Sequence, residues 1–191
     1  MRYLESSHPI VDRLAMCLST LCWFIYPISL FGFAYMREFP LPYYILLNLS
    51  FFMFLQVLLT VVHEKAHAYA ASCFSFKTEI SYRNKDKKHF RDGQKFFKPC
   101  CLFEGDAKIG KIAFVTIAIA PAITLSLIFL LFLLLFKTYL SQFSDVFYFG
   151  ALLYLIKLSG CSGDISLIIG ALKQSKGVKF QQLDAGNFKI L

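Results

Sequence analysis

The sequence predicts an all-α membrane protein, a bundle of about four transmembrane helices with a basic cytoplasmic loop that has room for short strands. Three observations lead there. Of 191 residues 57% are hydrophobic and only 17% are charged, whereas soluble domains carry about a quarter charged residues. The apolar residues fall in blocks long enough to cross a bilayer as helix, which takes about 20 residues. The net charge of +8 gathers mostly in one hydrophilic stretch between blocks, at about 76–111, the pattern of a loop kept on the cytoplasmic side.

The polar start, MRYLESSHPIVDR, precedes a first helix expected at about 14–36. That block is too long for the apolar core of a signal peptide and lacks a clear small-residue cleavage site. Pro27 removes one backbone hydrogen bond near its middle and should kink it. Pro40 and Pro42 discourage helix and make a tight connection to a second helix at about 43–73. Its opening tyrosines suit a membrane interface. Asn48, Gln56, Thr60, His63 and His67 lie near one face of it, and such a stripe should face protein or water rather than lipid. In the loop, KTEISYRN and KFFKPCCLF are candidate short strands.

A third, nearly uniformly apolar helix is expected at about 112–136, with Pro121 in its first third, and a fourth at about 146–172. Residues 173–191 read as a polar tail, and the whole as a single integral membrane domain over 1–191. Lys and Arg crowd the loop and tail while the opposite loops carry few, which places both termini in the cytoplasm of a multi-pass cell-membrane protein. Nucleic acid is not an expected partner, because no recognised motif accompanies the charge. Cys17, Cys22 and Cys161 fall in apolar blocks and read as small hydrophobes. Cys100 and Cys101 sit in the loop, where a cytosolic setting keeps thiols reduced. A second metal site from Cys73, His89 and Cys100 is a minor alternative, since the regular spacings of such sites are missing.

The chemistry is concentrated in His63-Glu64-Lys65-Ala66-His67, an H-E-x-x-H pattern on a helix. Histidines at i and i+4 share a face, so both imidazoles can reach one zinc ion. Glu64 points roughly 100° around the helix and is placed to take a proton from an attacking water and return it to a leaving amine. Chance gives the bare pattern roughly once in several hundred shuffled chains, but two histidines and a glutamate ending a membrane helix are costly without a function. A catalytic zinc usually has a third protein ligand and one open position. The outstanding candidate is Asp164, in Ser159-Gly160-Cys161-Ser162-Gly163-Asp164-Ile165. Depth agrees: His63 lies 20 residues beyond Tyr43 and Asp164 lies 18 beyond Val146, roughly 30 Å and 27 Å along their helices.

Gly160 and Gly163 either loosen the fourth helix ahead of the aspartate or allow close helix packing. Lys157, two turns before Asp164, is snorkelling, paired, or placed to stabilise a developing oxyanion. Glu104, Asp106 and Asp145 read as ordinary loop acids.

HEKAH ending one membrane helix, with an aspartate in a later one, resembles the site-2-protease class of intramembrane zinc metallopeptidases. HEKAH, then Ala120-Pro121, then SGCSGDI, more closely resembles the small bacterial membrane family known as “putative zincin peptidases”, over about residues 55–172. The resemblance implies Zn2+ held by His63, His67 and Asp164, with Glu64 as general base. The site-2 proteases usually carry their aspartate in an Asn-Pro or Leu-Asp-Gly context, and this chain has Cys-Ser-Gly-Asp instead. The leading expectation is a zinc-dependent endopeptidase at or within the membrane, acting on a membrane-anchored protein or peptide with zinc polarising the scissile carbonyl. The rivals are a non-catalytic scaffold or pseudoprotease that retains a zinc site, and a metal transporter. The scaffold has no need of Glu64, and the apolar third helix counts against the transporter. Oligomeric state is not legible.

Overall fold

The computed structural model describes residues 2–36, 38, 40–81, 99–140, 143–184 and 186–191. In chain order the elements are β1 (Arg2–Glu5), α1 (Pro9–Met36), α2 (Leu41–Cys73), β2 (Thr78–Ser81), β3 (Cys100–Phe103), β4 (Lys108–Gly110), α3 (Lys111–Leu135), α4 (Ser144–Gly160), α5 (Ser162–Leu172), β5 (Lys179–Asp184) and β6 (Asn187–Ile190). The helices α1, α2 and α3 are each long and apolar enough to cross a membrane, and α4 and α5 together make a fourth, broken span bent by 43°. The helical membrane bundle predicted from composition is therefore present. Large apolar side chains such as Phe24, Ile28, Leu46, Leu47, Leu131 and Leu134 stand exposed on it. In a bilayer those faces meet acyl chains of equal polarity, which removes the penalty they would carry in water.

Boundaries differ from the expected ones for local reasons. Helix α1 begins ahead of residue 14, because Pro9 suits the first helical turn and the Asp12 carboxylate accepts the His8 N–H at 3.0 Å. Pro27 stands inside a continuous α1. Helix α2 starts at Leu41, with Pro42 in its first turn. Helix α3 runs on into a π-helical turn at Phe136–Leu140.

The fourth span, expected at 146–172, is broken into two helices ahead of Asp164, the first of the two readings given to Gly160 and Gly163. At the break the Cys161 N–H bonds the Leu158 carbonyl at 3.0 Å, a tight turn three residues back in place of the α-helical four. Space around Gly160 is open, so packing does not require a glycine there. Its low helix propensity ahead of the break does the work.

Within the polar tail, Lys179–Asp184 and Asn187–Ile190 pair as a hairpin. The four-stranded sheet has the order β1-β6-β5-β4, with every neighbouring pair antiparallel. Gly186, at φ +100°, turns β5 into β6, and its carbonyl accepts the Ser6 N–H at 2.9 Å. Of the two candidate loop strands, Thr78–Ser81 and Cys100–Phe103 are present as an antiparallel pair, β2 with β3, in register from Thr78↔Phe103 to Ser81↔Cys100, and their residues 82–84 and 95–98 lie outside the described residues. The Gln182 side chain joins the two sheets: its Oε1 accepts the Phe103 N–H at 2.8 Å and its Nε2 donates to the Cys101 carbonyl at 3.3 Å.

Two cores result. Under the four-stranded sheet Leu4, Ala71, Ile109, Phe114, Phe180 and Phe188 pack together, with Phe114 stacked on Phe180 at 4.4 Å. Lys111 ties α3 to the end of α5 by donating to the Leu172 and Gln174 carbonyls at 3.1 and 2.7 Å, which satisfies groups a helix end leaves free. Deeper in the bundle Cys22, Tyr26, Leu30, Phe52, Leu152 and Leu153 form the second core. The functional residues lie between the two.

Candidate metal site

His63, Glu64 and His67 occupy the last third of α2, and Asp164 lies in the first turn of α5. A carboxylate is favoured there by the positive end of the helix dipole. The break at Cys161 swings that turn toward α2. Asp164 meets both histidines: Oδ2 is 3.3 Å from His63 Nε2 and Oδ1 is 3.3 Å from His67 Nε2. The imidazole rings are 5.0 Å apart, with an interplanar angle of 81°. The two predicted histidines of α2 thus meet the carboxylate of Asp164, about a hundred residues further along the chain.

The opposite nitrogens are also engaged. His67 Nδ1 lies 2.8 Å from the Ile117 carbonyl on α3, and His63 Nδ1 lies 3.7 Å from Cys161 Sγ. A carbonyl only accepts, so His67 carries its proton on Nδ1 and presents a lone pair at Nε2. A lone pair and a carboxylate 3.3 Å apart call for positive charge between them. Either a proton or one shared metal ion supplies it. The donor set therefore fits a zinc ion, which takes imidazole nitrogen and carboxylate oxygen together.

Glu64 is buried within the same cleft, a cavity of about 470 Å³ bordered by Cys101, Phe103, Asp164 and Gln182. Its carboxylate hydrogen-bonds the backbone of Cys101 on β3. Burial pushes the Cys101 thiol up to about 11. A hydrogen bond with Thr78 opposes that shift, and the charges of Glu64 and Cys100 add to it. Lys157 donates to the Thr60 hydroxyl and borders both this cleft and an apolar cavity of about 280 Å³ between α2, α3 and α4.

Sequence reading missed Cys161 as a site residue. Its side chain is fully buried, and the ligand atoms of His63, Cys161 and Asp164 lie within 4.8 Å of one another, a second trio able to hold a metal ion. The usable signal was spacing, since Cys161 precedes Asp164 by three residues and so shares its side of the chain. The Ile117 carbonyl and Gln182 carried no such signal. Of the minor candidates, Asn48 donates to its own helix at the Tyr44 carbonyl, 3.0 Å away. Gln56 Nε2 is buried without a partner among the described residues. Asp145 begins α4 and accepts the Tyr44 hydroxyl at 3.0 Å, at the far end of the apolar cavity. His89, of the alternative Cys73, His89 and Cys100 site, lies outside the described residues.

No curated protein and no solved structure matches the chain. Residues 56–179, about two thirds of the 191, match the family described as “Putative zincin peptidase”. The match covers HEKAH, all of α3 and the broken α4–α5 span, the three segments that build the cleft. The chain is a multi-pass membrane protein with residues suited to a metal ion, and it belongs to the “Putative zincin peptidase” family.

Proposed function

We propose that the chain is a zinc-dependent endopeptidase that cleaves membrane-anchored proteins or peptides at or near the cytoplasmic membrane boundary, in a single membrane domain. The observation that carries this reading is the convergence of His63 Nε2, His67 Nε2 and both Asp164 oxygens beside a buried Glu64. His63, His67 and Asp164 would hold the ion. Bound there, zinc would supply Lewis acidity toward the scissile carbonyl and the attacking water.

The remaining work falls to the chain. Glu64 accepts the proton of the attacking water and passes it to the leaving amine. The Cys101 backbone orients the Glu64 carboxylate, and the surrounding cleft limits bulk water. Both termini belong on the cytoplasmic side, a placement supported by the basic loop and by the pairing of β1 with β6 in one sheet.

The reading predicts about one zinc per wild-type chain, lost in His67→Ala and Asp164→Ala and retained in Glu64→Gln. Profiling of protein N termini in cells producing wild type or Glu64→Gln then decides catalysis. New termini only with wild type support the peptidase. One observation favours the second reading, a zinc-retaining scaffold. Cys161 Sγ lies close enough to offer a further donor, and a site closed by protein ligands has no open position for water. Zinc bound equally in all Glu64 variants, with no new termini, would establish the scaffold.

A further inference from the structure

We infer that two local defects in the membrane helices, the proline at 121 in α3 and the break at Cys161 between α4 and α5, provide the acceptors that fix His67 and His63 with Nε2 free for the metal. The inference rests on the metal reading above and adds two positioning residues to it.

In an α-helix the N–H of residue i bonds the carbonyl of residue i−4. Pro121 has no N–H, so the carbonyl four residues back, that of Ile117, loses its helical donor. That carbonyl is the one 2.8 Å from His67 Nδ1. Ile117 and Pro121 are both buried, and Ile117 borders the cleft beside His67. The proline thus makes a vacancy in α3 that His67 Nδ1 of α2 fills, and filling it sets the His67 tautomer.

The break between α4 and α5 does the same for His63 by a different atom. Cys161 Sγ lies 3.7 Å from the Lys157 carbonyl and 3.7 Å from His63 Nδ1. Its S–H can point only at an acceptor, and the Lys157 carbonyl is one. With the S–H on that carbonyl, the sulfur accepts the Nδ1 proton of His63 in the tautomer that leaves Nε2 free. Sulfur at Nδ1 and Asp164 at Nε2 engage different nitrogens of one ring. Cys161 is therefore a partner of the ligand and not the ligand itself. Outer partners of this kind orient metal-binding histidines and raise their basicity.

The test uses the full chain in detergent, with zinc affinity from competition with a chromophoric chelator and absorption spectra of the cobalt-loaded protein. Cys161→Ala should weaken zinc about 10–100-fold, and Cys161→Ser should recover part of that, because a hydroxyl also accepts from Nδ1. Pro121→Ala restores an N–H that competes for the Ile117 carbonyl. It should weaken zinc several-fold while thermal stability holds or rises, opposite movements that a packing role would not produce. Wild-type cobalt protein should show no thiolate-to-cobalt charge-transfer band. Such a band, lost in Cys161→Ala, makes the sulfur a ligand and overturns the assignment. Unchanged zinc affinity in both Pro121→Ala and Cys161→Ala overturns it too. If Cys161→Ala does not fold, Pro121→Ala and Cys161→Ser decide. A wild type that binds neither metal is a separate outcome, measured before any variant, and it removes the metal reading along with this one.

Discussion

The two cores of this protein are built from the same kinds of side chain but answer to different solvents. Under the sheet, Phe180 and Ile109 are fully buried, and Phe114 stacks on Phe180. Phe180 and Ile109 come from strands outside the candidate membrane spans, so burying them removes apolar surface from water. In the bundle, Tyr26 packs against Phe52 at 4.2 Å and Phe149 at 5.4 Å, and Trp23 meets Phe52 at 5.8 Å. There the unfolded alternative is lipid, which is as apolar as the core, and only packing and ring geometry remain to hold the helices. The lesson is that one degree of burial does not mean one contribution to stability. The bundle encloses an apolar cavity of about 280 Å³, whereas the more polar cleft of about 470 Å³ opens at the sheet end.

The sharpest way to test that division is chemical. On the peptidase reading, Glu64→Gln should lower peptide hydrolysis about 10²–10⁴-fold while zinc content and melting temperature stay at wild-type values, because His63, His67 and Asp164 keep their mutual contacts. Next comes a matched pair of truncations. Phe180→Ala, beneath the sheet, should cost about 3–5 kcal/mol and weaken zinc binding with it. Phe52→Ala, in the bundle, should cost only about 1–2 kcal/mol from lost packing and ring contacts and leave zinc affinity alone. Equal losses in denaturation experiments in detergent would break the comparison.

Glycines give a finer version. Gly150 lies under the Phe132 ring in the bundle, and Gly170 lies under Leu4 of β1 at the sheet end. An added methyl collides with a side chain in both places, at a cost of about 1–3 kcal/mol where the neighbour cannot move aside. Gly170→Ala should also reduce zinc affinity by loosening β1, whose following residue Ser6 borders the cleft. Gly150→Ala should not.

What the sequence revealed divides along the same line. Lipid-facing helices announce themselves, because unbroken apolar runs have few other uses. HEKAH and Asp164 were legible because polar groups at membrane depth need a reason. The sheet was not. Lys179–Asp184 and Asn187–Ile190 are short and mixed in polarity, and β1 reaches its place only by pairing with the other end of the chain. Local pattern carries no trace of such a partner. Cys161 was misread for a related reason: a cysteine in an apolar block is ordinarily filler, and which histidine its sulfur meets depends on the helix packed beside it. Pro121 was visible as a proline, but its consequence, a carbonyl offered to another helix, required knowing which helix lay beside it.

The smallest expected effect probes the seam between the water-facing end and the cleft. Cys101 on β3 has its thiol pushed up to about 11, chiefly by burial, against an ordinary value of 9.0. The folded chain therefore holds that proton where an unfolded chain has begun to release it. The stability this contributes is complete below pH 9.0 and is lost as pH rises toward 11. Only the thiolate attacks an alkylating reagent. Labelling of Cys101, followed by mass spectrometry, should thus stay slow at pH 8 and keep accelerating well above pH 9. The Glu64 carboxylate contributes to that suppression, so Glu64→Gln should advance Cys101 labelling to slightly lower pH. A labelling profile for Cys101 that is flat above pH 9 would mean that β3 opens to water more often than its packing suggests. The cleft would then be sealed by something other than the strand that borders Glu64.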